Sequence, residues 1–250
     1  MSITISILIL TYNRVILSSN YIPKIVDKVG NIPFEVLLWD NGSIDGSYDW
    51  IYSYGNADCR VYKVYGATNN IGMEAFNTMA TDARGKYILK VDDDIDVPNN
   101  FGRRLVEAYE KLNEKKLLFL GWDMGWSGQN STGGSGTFAT RSGIGMYQNA
   151  MGKIVPLGNS ERALLCYNPR MWMMNGVCRL SPRKEFLDIG GHPGGIVYGV
   201  DYPMSCRAAD HGYWIGYFNT SDLVYHRGNV DDPKYRMLKN AEMHKAQSVR

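Results

Sequence analysis

Cysteine and histidine are scarce in this chain. Four cysteines (Cys59, Cys166, Cys178, Cys206) and four histidines (His192, His211, His226, His244) are scattered over 250 residues. Their spacing matches no zinc pattern and no disulfide framework, and the thiols read as reduced and mostly buried. Charge of one sign is lacking too: a net charge of +2 provides no field for nucleic acid or an acidic membrane. No apolar run reaches the roughly 20 residues of a membrane-spanning helix. Met1–Leu10 is apolar but short, without the basic front and cleavage site of a signal peptide. A soluble, cytoplasmic protein with no integral membrane segment is expected. Neither a glycine-rich phosphate loop nor G-x-G-x-x-G follows the first apolar segment, which argues against nucleotidyltransferases and dinucleotide oxidoreductases.

What is present is an ordinary globular composition, 44% hydrophobic and 21% charged, at a length that allows one large α/β domain or two small ones. Ile3, Ile5, Ile7 and Ile9 alternate as in a buried strand over 2–10. Helix is expected after Arg14 to about Val29, then strand 34–39, helix 48–54, strand 60–65, helix 73–83, strand 87–91, helix 101–113 and strand 117–122. This βαβ rhythm predicts a mainly parallel sheet covered on both faces. Glycine and serine dominate 121–145, where Trp122 and Trp126 are embedded, and a long loop is expected. Beyond it the pattern predicts strand 171–180, helix 183–188, helix 201–211 closed by Gly212, strands 213–218 and 223–226, and a charged tail over 231–250.

Ligands of such sheets sit beyond the carboxyl ends of the strands. Thr11-Tyr12-Asn13-Arg14, Asp40-Asn41-Gly42-Ser43 and Asp92-Asp93-Asp94 all fall at such ends. Three consecutive aspartates with Asp96 close behind repel one another unless cations or hydrogen-bond donors compensate them. They suit Mg²⁺ or Mn²⁺ carrying a diphosphate, or else form a solvated turn ahead of the next helix. Asp45 reads as a turn-former within Ser43–Ser47.

In order, the chain carries Thr11-Tyr-Asn-Arg14, Asp40-Asn-Gly-Ser-Ile-Asp-Gly-Ser47, Asn70-Ile-Gly72 with Asn77, and Gly85-Lys-Tyr-Ile-Leu-Lys-Val-Asp-Asp-Asp94. This series resembles inverting family-two glycosyltransferases with the GT-A fold, closely over 3–98 and more loosely over 177–226. Each tetrapeptide alone is weak; four in order at strand ends are a strong signal. The resemblance implies a single GT-A (Rossmann-like) α/β domain with a mainly parallel central sheet flanked by helices and a smaller acceptor-side subregion. Residues 1–98 would be the nucleotide-sugar-binding half, 99–230 the acceptor and catalytic half, and 231–250 a C-terminal tail.

By the same resemblance, Thr11, Asn13 and Arg14 with Asp40 or Asn41 would hold the nucleotide. Asn70, Gly72 and Asn77 would shape the third element, where Phe76 stands in place of a frequent arginine and Arg14 is the substitute. Asp92 or Asp93 would hold the ribose hydroxyls, Asp94 the metal, with Asp92 and His226 as further ligands to Mn²⁺ or Mg²⁺. Gly199-Val-Asp-Tyr-Pro-Met-Ser-Cys-Arg207 resembles the family's G-E-D-x-D-L-x-x-R element, with Val200 and Pro203 replacing two acids. Asp201 is then the base of a single displacement, or a helix cap. Trp122 and Trp126 are candidate acceptor contacts. The donor implied is a nucleotide-diphosphate sugar, UDP first. The acceptor is open among saccharide, lipid-linked sugar, protein and modified nucleobase, a homodimer is possible, and a catalytically inactive nucleotide- or sugar-binding protein of the same fold is the alternative. Arg179, Arg183 and Lys184 read as a solvated face, or else as a basic strip near the acceptor side.

Overall fold

A computed structural model describes residues 2–122, 124–125, 152–171, 176–194 and 201–228. The strands are β1 (Ile5–Thr11), β2 (Phe34–Asp40), β3 (Val61–Gly66), β4 (Tyr87–Asp92), β5 (Ile95–Asp96), β6 (Leu117–Trp122), β7 (Met124–Gly125), β8 (Gly152–Gly158), β9 (Glu161–Cys166), β10 (Cys178–Pro182), β11 (Trp214–Asn219) and β12 (Val224–His226). The helices are α1 (Val15–Asp27), α2 (Ser47–Ala57), α3 (Ala75–Asp82, entered through a 3₁₀ turn Gly72–Glu74), α4 (Phe101–Leu112), α5 (Arg183–Asp188) and α6 (Asp201–Asp210). Nine strands form one sheet in the order β3-β2-β1-β4-β10-β6-β11-β9-β8, and β5-β12-β7 form a small second sheet.

The period-2 alternation of β1 explains the layering. Ile5, Ile7 and Ile9 point into one core with Leu17, Ile22 and Ile25 of α1 and Phe101 and Leu105 of α4. Leu8 points into the other, with Phe76 and Met79 of α3, Phe186 of α5 and Met204 of α6. Each such burial is worth about 2 kcal/mol, and a one-residue slip would turn the whole strand inside out. No described helix is long and apolar enough to cross a membrane.

Strands β3-β2-β1-β4 are parallel, as is the β6–β11 pair. The pairings of β10 with β4 and β6, and of β9 with β11 and β8, are antiparallel. The sheet is therefore parallel in its first half and mixed in its second. The β8–β9 hairpin went unanticipated, because its β8 half (Gly-Lys-Ile-Val-Pro-Leu-Gly) is interrupted by proline and glycine and exposed at the sheet's edge. Among the described residues, the strand expected over 171–180 is met by β10, Cys178–Pro182, and 172–175 lie outside the described residues.

Register delivers the loop motifs to one edge. Thr11 is the partner of Asp40, and Leu10 of Asp92. Antiparallel β10 enters at that edge, where Asp92 N donates to the Val177 carbonyl at 2.9 Å. At the opposite edge, buried Glu35 accepts from Ser6 Oγ (2.6 Å), the Arg84 amide (2.7 Å) and Arg84 Nε (2.6 Å), tying β1 and β2 to the turn before β4. Glu35→Ala strands three donors and is expected to lower stability by about 3 kcal/mol, read from urea unfolding with the fold retained by circular dichroism.

Candidate active site

The aspartate triplet does not form a solvated turn. Asp93 and Asp94 are fully buried and Asp92 is partly exposed, and each carboxylate has its own surroundings. Asp93 accepts from Arg14 Nη1 at 2.8 Å and from Ser18 Oγ at 2.7 Å, and Ser18 also meets Thr11 Oγ1 at 2.7 Å. Burial pushes the Asp93 carboxyl above the ordinary aspartate range, against the pull of Arg14. The loop after β1 is thereby clamped to the end of β4. Asn13 takes a left-handed conformation (φ 50°), directing its side-chain oxygen to the Ile44 amide at 2.8 Å while its own amide donates to Ser43 Oγ at 2.8 Å. Arg14 lies on carboxylates, with Nη1 also 3.2 Å from Asp94 Oδ2.

Asp40 closes its own turn by accepting from the Gly42 and Ser43 amides at 3.1 and 2.9 Å; its other oxygen has no hydrogen-bond partner among the described residues. Asn41 donates to Asn70 Oδ1 at 2.6 Å and accepts from the Ile71 amide at 3.2 Å, and Asn70 Oδ1 also accepts from the Gly72 amide at 2.8 Å. The side chains of Asn41 and Asn70 thus latch the second and third motifs together. A Cβ at Gly42 (φ 82°) would meet the Asn69 backbone at 2.8 Å, so the close approach of these loops requires glycine. Asp45 is a turn-former, as expected, bonding Ser47, and it also accepts from the Val15 amide at the start of α1 at 2.9 Å.

Asp92, Asp94 and His226 converge: each offers a ligand atom within 4.8 Å of the other two, and His226 Nε2 lies 3.4 Å from Asp94 Oδ1. The small sheet makes this possible. β12 pairs antiparallel with β5, His226 opposite Ile95, and the Arg227 amide donates to the Asp94 carbonyl at 2.8 Å. A Cβ at Gly228 would fall 2.2 Å from Asp94 Oδ2, so the pocket around this carboxylate is kept open by glycine. Two carboxylates and an imidazole at this spacing fit Mn²⁺ or Mg²⁺ at about 2.1 Å from each ligand after small side-chain movement.

Asp201 opens α6 across from the triplet and accepts a hydrogen bond from the Gly176 amide. Burial raises its carboxyl above the ordinary value, while Arg179 and Lys90 pull it down. Asn77 brackets His192, donating to its carbonyl at 2.9 Å and accepting from its amide at 2.7 Å. Trp122 is corrected: it is fully buried, edge-on to Phe218 at 4.8 Å, with Nε1 donating to the Asp222 carbonyl, and has no face to offer an acceptor. Trp126, most of the glycine-rich 121–145 segment, Gly199-Val200 and the 231–250 tail lie outside the described residues.

Arg179 is corrected as well, since it is buried and not on a solvated strip. Arg183 holds the Ala80 and Thr81 carbonyls at the end of α3, and Lys184 alone of the three is exposed. Buried Lys90 and His192 were missed. The signal for Lys90 was a charge in the middle of the apolar strand Tyr-Ile-Leu-Lys-Val-Asp; His192 had only the glycines before it.

The family model "Glycosyl transferase family 2" matches residues 6–118, the stretch that carries all four motifs. Residues 6–118 of this chain are thus similar to glycosyl transferase family 2. The chain's fold is GT-A, as in three solved structures. S. aureus TarS 1-349 in complex with UDP-GlcNAc is 17% identical with a TM-score of 0.62, covering 89% of this chain and 58% of that one. The mannosyltransferase PcManGT from Pyrobaculum calidifontis, with GDP-Man and Mn2+, is 16% identical with a TM-score of 0.62, covering 90% and 57%. GalNAc-T7 with UDP, GalNAc and Mn2+ is 16% identical with a TM-score of 0.67, covering 90% and 44%. The chain spans about half the length of the proteins it resembles in fold. No curated protein sequence matches it.

Because Arg14 and Ser18 share the Asp93 carboxylate, Asp93→Ala is expected to lower the stability of the protein by about 3 kcal/mol in metal-free buffer. Chemical denaturation checks this; a loss below about 1 kcal/mol would show the clamp to be dispensable.

Proposed function

We propose that the protein transfers a sugar from a nucleoside-diphosphate donor to a hydroxyl acceptor, with inversion, in a metal-dependent single displacement. The observation that carries this reading is the convergence of Asp92, Asp94 and His226 at the carboxyl edge of the sheet, with Asp201 opening the facing helix. The divalent ion supplies charge neutralisation for the departing diphosphate. Asp94 and His226 hold it, with Asp92 as a further ligand or as the partner of the ribose hydroxyls. Thr11, Asn13 and Arg14 shape the nucleotide pocket, while Asn41, Asn70 and Gly72 fix its floor.

The acceptor oxygen attacks the anomeric carbon as Asp201 takes its proton, and the bond from that carbon to the diphosphate oxygen breaks with both electrons leaving on the phosphate. The raised carboxyl of Asp201 makes it a better base than an ordinary aspartate. Because the deprotonated form is the active one, its acid limb lies above the ordinary 3.8.

UDP is the first choice of nucleotide. The open Asp40 oxygen accepts from a ring N–H, which uracil, thymine and guanine carry and cytosine lacks. The TarS and GalNAc-T7 structures contain UDP-GlcNAc and UDP, and that of PcManGT contains GDP-Man.

Calorimetric titration of UDP, GDP, dTDP and CMP with and without Mn²⁺ tests the donor site. Mn²⁺-dependent binding of one diphosphate, no binding of CMP, and loss of the metal dependence in Asp94→Ala are expected; binding indifferent to Mn²⁺ would remove the metal assignment. Asp201→Asn is expected to keep donor affinity and lose turnover on the order of a thousandfold. Undiminished turnover would place the base elsewhere. Donor binding with no turnover by the unaltered protein would favour a catalytically inactive binding protein, the reading to which Val200 and Pro203 also point.

A further inference from the structure

Behind the site, on the face of the sheet covered by α3 and α6, lies a set of buried charges that the proposed reaction does not use. Lys90 of β4 and Arg179 of β10 are directly opposed partners in an antiparallel pair, and both are buried. Like charges placed directly across a ladder repel, and two buried cations cost far more than the aliphatic residues around them unless they are compensated. Their compensation is specific. Lys90 Nζ donates to the Asp92 carboxylate and to the Gly176 carbonyl. The amide of that same glycine donates to Asp201.

A Cβ at Gly176 would fall 2.1 Å from Asp201 Oδ1, so the carboxylate sits where only glycine leaves room. Arg179 lies 4.7 Å over the Phe119 ring and donates through Nη2 to His192 Nε2 at 2.6 Å. A guanidinium only donates, so His192 receives this bond as a neutral imidazole protonated at Nδ1. Its backbone is pinned on both sides by Asn77, and its ring lies between Phe76 and Phe186. Lys90 is thus balanced by Asp92, and Arg179 is braced by His192.

We propose that Lys90 is a positioning residue for Asp201: through the Gly176 carbonyl it fixes the peptide whose amide holds that carboxylate. The proposal rests on Asp201 being the base. It couples the two halves of the reaction, because the lysine that fixes Asp201 also touches Asp92 on the metal side. A displacement of about 1 Å at a reacting group costs about a hundredfold in rate, so the strut sets the rate without touching donor or acceptor.

The test uses Lys90→Met, Lys90→Arg, Gly176→Ala, Asp201→Asn and the Lys90→Met/Asp201→Asn double variant of the full chain. UDP release from UDP-GlcNAc with saturating Mn²⁺ measures kcat and KM, calorimetry measures Mn²⁺–UDP affinity, and urea midpoints measure stability. Lys90→Met and Gly176→Ala are expected to lower kcat about a hundredfold, and in Gly176→Ala, which leaves the Asp92 contact in place, KM and Mn²⁺–UDP affinity are expected to stay within twofold of the unaltered protein. Lys90→Arg is expected to recover most of the rate, and Lys90→Met to add no further loss once Asp201 is Asn.

An undiminished kcat in Lys90→Met, or an equal loss in the Asp201→Asn background, overturns the proposal. So does a loss confined to Mn²⁺–UDP affinity, which would assign Lys90 to the metal side alone. Undiminished UDP release by Asp201→Asn would instead defeat the base assignment. In that case, or if the unaltered protein releases no UDP, the urea midpoints decide the contact itself. Shifts that add in the double variant refute it, and a double shift smaller than the sum supports it.

Discussion

Four carboxylates, Asp92, Asp93, Asp94 and Asp201, are gathered at one sheet edge where water is largely excluded, and the arrangement of the site follows from the need to compensate them. A buried carboxylate without a partner costs several kcal/mol, which is comparable to the net stability of a domain. Every neighbouring element contributes a cation or a donor to this demand. Arg14 and Ser18 come from the start of α1, Lys90 from inside β4, Arg179 from the antiparallel strand β10, and His226 from the small second sheet. Lys90 lies on the Asp92 carboxylate, and Asp94 lies between Arg14 and His226.

That division has a mechanistic sense. Asp93, held by Arg14 and Ser18, clamps the loop after β1 to the end of β4. Asp94, cradled by the bare Gly228 and approached by an imidazole, is kept open. Adjacent residues of the same type therefore do different work, because successive side chains leave a strand end in different directions and meet different neighbours. The asparagines divide in the same way. Asn41 and Asn70 lock one loop to another, and Asn77 holds the Gly190-Gly191-His192 segment that braces Arg179.

The first half of the fold was legible because it is local. Alternating isoleucines in β1, short apolar runs ending in polar turns, and amphipathic helices between them describe a parallel sheet whose strand ends share an edge. The motif series over the same residues is the stretch that the family model matches. The second half was less so. β10 runs against its neighbours, and the β8–β9 hairpin carries the interruptions of an edge strand. Trp122 looked like a loop aromatic because of the glycines and serines that follow it, whereas its place at the end of β6 buries it against Phe218. Arg179 looked like part of a surface strip because Arg183 and Lys184 follow closely, yet strand alternation turns it into the interior.

What the sequence by itself determined is the identity and order of the strand-end motifs, the two apolar faces of the sheet and the glycines that let loops approach. These depend on side-chain type and on periods of two and 3.6 residues. Only the tertiary structure decided that His226 meets Asp94, that Lys90 lies opposite Arg179, and that Gly176 carries both the Lys90 and the Asp201 contacts. All of these contacts but Gly176–Asp201 join residues about 90 to 130 positions apart. They are set by the register of antiparallel pairings and by the burial of charge, and neither leaves a periodic mark in the chain.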